Sequence, residues 1–173
     1  MNRGAKITIG IFLTIFVLIA SGFLFYRNLS PEFMPTNITI ESTIHKLNAN
    51  EYMVELQVNQ KKDDYHSNMI YPIIPGKGNI SFIQDDDLFT PSSIGNDHAS
   101  LQMLTNETSN MPMAQEPFGF GIPGMKGIYN MKFTVDALSE AQENLNPQIY
   151  YIHKEKRYGK DLSWIKGFEM TVE

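Results

Sequence analysis

Apolar residues follow two different patterns along this chain. From Ile7 to Tyr26, ITIGIFLTIFVLIASGFLFY, they run almost unbroken and without a charge. As a helix rising 1.5 Å per residue, that stretch covers about 30 Å, the thickness of a bilayer's hydrocarbon core. Beyond Arg27 the pattern changes to alternation. Ile38, Ile40, Ser42 and Ile44 alternate with Thr39, Glu41 and Thr43. Tyr52, Val54, Leu56 and Val58 alternate with Met53, Glu55 and Gln57, and Tyr129, Met131, Phe133 and Val135 with Asn130, Lys132 and Thr134. A period of two marks a strand with one buried face.

Weaker strand signals fill the gaps. They are Ile80 to Ile83, then Ala99, Leu101 and Met103, then Gln148 to His153, and a final strand carrying Leu162, Trp164, Phe168, Met170 and Val172. The group Met69 to Ile74 contains Pro72, which predicts an edge strand or a bulge. Asp136 to Asn146, DALSEAQENLN, is the one helical passage outside the apolar run. Ser139 and Gln142 have capping-box spacing there, and Pro147 ends it. The pattern predicts an all-β fold, an antiparallel immunoglobulin-like β-sandwich preceded by a single N-terminal transmembrane α-helix. Tyr150 and Tyr151, near the start of a strand, suit the tyrosine corner of such sandwiches. The layout is similar to small immunoglobulin-like ectodomains of bacterial membrane proteins, without a motif that carries it to a named family.

The same reading divides the chain. Residues 1–6 form a short basic tail, 7–26 a transmembrane signal anchor, 27–36 a stalk with two prolines, and 37–173 the extracytoplasmic β domain. Arg3 and Lys6 precede the apolar run and Arg27 follows it. Basic residues collect on the cytoplasmic side, so the N-terminus is expected inside and the C-terminal domain outside. Ala20, Ser21 and Gly22 resemble a cleavage site, but the apolar run resumes with Phe23 to Tyr26, which favours an uncleaved anchor.

Composition narrows the chemistry. There is no cysteine, which excludes disulfides, thiolate metal sites, cysteine nucleophiles and a lipoprotein anchor. An extracytoplasmic domain of this kind suits a Gram-positive bacterium. Of the 14 Lys and Arg, three flank the anchor, so the rest of the chain carries 11 against 19 Asp and Glu. That acidic balance argues against nucleic acid as a partner.

Candidate sites are sparse. Gly119 to Gly124, GFGIPG, fits G-x-G-x-x-G but has no following helix, so the glycines are read as turn residues at positive φ. Asp85, Asp86 and Asp87 lack the spacing of a calcium loop. The four histidines are scattered, and no hydrolase motif is present; a hydrolase remains a second alternative without nominated residues, and the reading leans against an enzyme. Asn106 to Gly127 is rich in Met, Pro and Gly and reads as a long functional or lid-like loop. Within and beside it, Met111, Met113, Phe118, Phe120 and Met125 form the expected partner-contact surface, because aromatics and Met favour interfaces. His98, Met103, Met111, Met113 and Met125 form an alternative metal set. Thioether and imidazole suit Cu(I), and extracytoplasmic copper carriers often use sandwich domains; calcium comes second. No cofactor is expected otherwise. The expected function is a single-pass membrane-anchored binding or interaction domain of a bacterial envelope. Its partners are the lipid bilayer, through residues 7–26, and another envelope protein or cell-surface component.

Overall fold

A computed structural model describes residues 3–48, 51–73, 77–82, 90–93, 97–108, 118–137 and 148–173. Its elements are helix α1 (Arg3–Arg27), strands β1 (Ile38–Lys46), β2 (Glu51–Gln60), β3 (Ser67–Ile73), β4 (Lys77–Phe82) and β5 (Thr90–Ser93), helix α2 (His98–Glu107), and strands β6 (Phe118–Gly121), β7 (Gly127–Ala137), β8 (Gln148–Arg157), β9 (Lys160–Glu169) and β10 (Thr171–Val172). Two compact units emerge. One joins Met1–Glu32 to Lys156–Leu162, and the other comprises Phe33–Glu155 and Ser163–Glu173.

The larger unit is a two-sheet β-sandwich. One sheet has the order β10-β1-β2-β7-β4 and the other β5-β6-β3-β8-β9. The runs β1-β2-β7-β4 and β3-β8-β9 reproduce the ABED and CFG sheets of an immunoglobulin domain. The chain between β4 and β7 is then an insertion, which adds β6 and β5 beside β3 and carries α2. The three clean alternations are strands, as expected, and they pair side by side. Val54 lies opposite Ile44 and Phe133, and Leu56 opposite Ser42 and Met131. These inward residues meet Ile70, Phe120, Ile149 and Tyr151 of the second sheet in one core.

Several expectations are corrected. The segment with Ala99, Leu101 and Met103 is a helix, not a strand. Asp97 caps it, accepting from the Ser100 backbone N–H at 3.2 Å and from its hydroxyl at 2.8 Å. Leu101 and Leu104 are three apart, so a helix puts them on one face, while Leu101 and Met103 alone gave too short an alternation to decide. The expected loop Asn106–Gly127 contains β6, which pairs with both β3 and β5. Pro72 lies in a strand that is central to its sheet, but past Ile70, where the β6 pairing ends. The expected helix Asp136–Asn146 lies outside the described residues, except that Asp136 and Ala137 continue β7. The final strand is two: β10 leaves β9 for the other sheet, where it runs parallel to β1, so the sandwich is not wholly antiparallel. Among the described residues, neither tyrosine makes a corner bond to backbone. The Tyr150 hydroxyl donates to Gln148 Oε1, and the Tyr151 hydroxyl is buried with no partner among the described residues.

A second cluster explains why β8 reads as a continuous apolar run. Its outward residues Tyr150 and Ile152, with Tyr71 and Ile73 of β3, are covered by Leu101, Met103 and Leu104 of α2. Lys154 of β8 fastens this cover by a charged hydrogen bond to Asp97. The expected stalk also contributes to the sandwich: Phe33 is fully buried, stacks at 8° on Trp164, and accepts the Trp164 indole N–H on its carbonyl at 2.7 Å.

In the smaller unit, α1 has 25 residues and is long and apolar enough to cross a membrane. Its last carbonyls lack intrahelical partners, as at every helix end. Lys160 Nζ donates to the carbonyls of Tyr26, Arg27 and Leu29 at 3.0–3.3 Å, which places a cation at the negative end of the helix dipole. Lys160 reaches them from a tight hairpin. Tyr158 and Gly159 both take positive φ, 49° and 79°, the pattern of a two-residue type I′ turn.

Candidate functional site

The inward face of β8 turns polar at its C-terminal half. Ile149 and Tyr151 point into the core, and by the same period His153 and Glu155 follow them. His153 is wholly buried between two buried carboxylates. Its Nε2 is 3.0 Å from Glu155 Oε2, and its Nδ1 is 3.0 Å from Asp64 Oδ2 and 2.8 Å from Asn68 Oδ1. Asn68 and Asp64 thus share the Nδ1 side of the ring. Burial disfavours the protonated imidazole, but the hydrogen bonds and charges of Asp64 and Glu155 outweigh it and raise the His153 pKa above its ordinary value. Burial likewise works against Asp64 ionisation, yet His153, Asn68 and the His66 N–H hold that carboxyl below its ordinary range. Phe33 and Trp164 complete the wall, with ring centroids 5.6 and 5.5 Å from His153. This arrangement holds charge in a buried place, with the exposed His66 ring edge-on to His153 at 6.1 Å between centroids.

Above it, two loops are joined. The Asp64 N–H donates to the Gly124 carbonyl at 2.7 Å, and the Lys126 N–H to Asp63 Oδ1 at 2.6 Å. The Tyr129 hydroxyl donates to the Met125 carbonyl at 2.6 Å. Gly124 is required by contact, since a Cβ there would lie 2.8 Å from the Asp64 carbonyl oxygen and 2.9 Å from the Tyr65 ring. Neither it nor Gly119 has positive φ; among the described residues only Tyr158 and Gly159 do. The expected turn role of GFGIPG is thereby replaced by close approach. The joined loops hold two large apolar side chains in the open, Tyr65 and Met125, 78 and 59% exposed, and Ile128 at the start of β7 is 61% exposed.

The sequence-derived site residues scatter against this frame. Met125 is on the exposed tip. Phe120, expected as a partner contact, is completely buried, with its ring 5.6 Å from Phe133, so it belongs to the core. Phe118 opens β6, paired with Ser93. His98 is exposed at the start of α2, and Met103 is half-buried against the cluster beneath that helix. Met111 and Met113, like Asp85 to Asp87, lie outside the described residues. Among the described residues, no group of three His, Asp or Glu side chains is disposed to hold a metal ion. Sequence reasoning missed Tyr65 and the partners of His153. Tyr65 sat in a charged stretch, QKKDDY, and Asp64 lies 89 positions from His153.

No family model matches the chain, and no curated protein matches it. Among solved structures, it is similar to the collagen adhesin CNA from S. aureus, with a TM-score of 0.39 and 13% identity over 77% of this chain and 48% of that one. It thus spans about half of that adhesin chain. A collagen-binding domain from a Staphylococcus aureus adhesin gives 0.37 and 11%, covering 76% of this chain and 96% of that one. The yeast GGA1 GAE domain gives 0.31 and 7%, covering 80% and 94%. Scores and identities this low carry nothing about a ligand.

Proposed function

We propose that this chain is a single-pass, membrane-anchored interaction domain of a bacterial cell envelope, with its N-terminus cytoplasmic, its sandwich outside and no catalysis of its own. Arg3 and Lys6 against Arg27 set the orientation, and the bilayer receives α1. The observation that carries the reading is the apolar tip of Tyr65 and Met125, exposed on loops that hydrogen bonds hold in place, with Ile128 exposed at the start of the strand that follows. A preformed tip binds without the cost of ordering it, and aromatic and Met side chains are what interface centres favour. The partner is another envelope protein or cell-surface component.

Photo-cross-linking from position 65 in intact membranes tests this. A discrete adduct is expected with the native tip. It should disappear when Met125→Ala and Ile128→Ala are combined, while the unfolding midpoint stays put, because exposed substitutions change stability by about 0.5 kcal/mol or less. An adduct of unchanged yield in the double variant would sink the idea.

A further inference from the structure

The outer end of α1 differs in charge from the rest of the chain beyond the span. The sequence after Arg27 is acidic overall, 11 Lys and Arg against 19 Asp and Glu. Within the smaller unit, however, Arg27, Lys156, Arg157 and Lys160 face only Glu32 and Asp161. An open cleft of about 450 Å³ lies there, lined by Leu24, Phe25, Asn28, Leu29, Ser30 and Arg157. Its lining is of two kinds. Leu24, Phe25 and Leu29 continue the apolar surface of the helix, while Asn28, Ser30 and Arg157 supply polar atoms. We propose that this cleft binds the headgroup of an anionic diacyl phospholipid of the outer leaflet, with the phosphate on Arg157 and the acyl chains along Leu24, Phe25 and Leu29.

Three observations converge on a lipid rather than a free anion. The apolar wall is continuous with the span, so a ligand held there by both walls needs a charged head and a hydrocarbon tail. Arg157 is fixed in place: its Nη1 donates to the Ser30 carbonyl at 3.1 Å, and its Nη2 pairs with Glu32 Oε1 at 2.8 Å. A planar guanidinium is the side chain best shaped for phosphate. Aromatic side chains stand where headgroups begin. Tyr158, at the hairpin tip, meets Phe25 edge-on at 5.9 Å, and Lys160 lies 5.9 Å from the centre of the Tyr26 ring. Lys160 holds the helix carbonyls and serves as a clip; Arg157 is the cation that lines the cleft, and the phosphate is assigned to it. Glu32, whose side chain is the more exposed partner of the pair, is the anion a phosphate must compete with.

The inference rests on the membrane-anchored reading, and one experiment separates the two. The full chain is reconstituted in vesicles of equal parts phosphatidylglycerol and phosphatidylcholine, floated through alkaline carbonate, and released for native mass spectrometry of retained lipids. Flotation with preferential retention of phosphatidylglycerol is expected. Arg157→Gln should lower that retention about fivefold, in line with the effect of one basic residue at an anionic surface. Glu32→Gln should raise it, an outcome that misfolding does not produce. Added glycerol phosphate should not displace the lipid; displacement would identify a soluble phosphate as the ligand and overturn the proposal. Flotation with equal retention of both lipids, or retention indifferent to Arg157→Gln, also overturns it while leaving the anchor standing. A chain that does not float overturns both.

Discussion

Strands β2 and β8 are each ten residues long and each central to a sheet, yet they bury different things. In β2 the inward residues Val54, Leu56 and Val58 are apolar, and Gln57 between them faces solvent. In β8 five consecutive residues, Ile149 to His153, are buried. The outward face of β8 lies under α2, and its inward face passes from Tyr151 to the ionic cluster around His153. A strand with two buried faces and a buried charge is a strand with added duties. The covered face supports the insertion between β4 and β7, and the charged end sits beneath the loops that expose Tyr65 and Met125.

The largest effect is expected at the charged end. His153→Leu removes the cation between Asp64 and Glu155 and leaves two carboxylates buried, a change that costs about 3–5 kcal/mol when a buried ion pair is broken. Urea unfolding at neutral pH measures it. The pH profile of the native protein gives a second readout. The raised His153 pKa contributes stability that is complete below its unfolded value, about 6.5, and is lost as pH rises through the folded value. The lowered Asp64 pKa contributes stability that is present above its unfolded value, about 3.9, and is lost as pH falls through the folded value. Stability should therefore peak between about pH 4 and 6.5 and decline toward alkaline pH. A flat profile from pH 6 to 9 would mean that the cluster does not carry the charge assigned to it.

The covered face gives the next largest effect. Ile152→Ala should cost about 3 kcal/mol although the residue points away from the sandwich core, because a large-to-small change beneath α2 leaves a cavity. The test compares unfolding free energies. A cost under about 1 kcal/mol, typical of an uncovered outward position, would show that α2 does not seal that face in solution.

These two strands also show what could be read from the residues. The alternation in β1, β2 and β7 was legible because each has one dry and one wet face, so polarity reports direction. In β8 both faces are dry and the period vanishes, so the strand was visible and its role was not. Helix α2 was misread because ten residues offer few turns to show a helical period; its local signal, the Asp97 cap on Ser100, was legible in the sequence and passed over, while the cover it provides depends on β3 and β8. The chemistry was less legible still. Phe120 read as an exposed aromatic because it lies among glycines, but β6 puts it in the core. Excising Met111 to Gly124 to test a contact loop would therefore remove a strand. The ion cluster draws on residues 64, 68, 153 and 155, and no local spacing announces an assembly made by two strands and a loop.

The smallest effect is the one that sharpens the contrast. Gln57 donates from Nε2 to Asn130 Oδ1 at 3.2 Å across the exposed face of β2 and β7. A solvated cross-strand pair of this kind exchanges one set of water hydrogen bonds for another, so Gln57→Ala should change stability by about 0.5 kcal/mol or less. Ile152 and Gln57 both point outward from their sheets, and only the presence of α2 over one of them separates the two expected costs. If Gln57→Ala instead cost more than about 1.5 kcal/mol in the full chain, the outer face of the β2 sheet would have a cover of its own. The difference between the two strands would then lie in the ionic cluster alone.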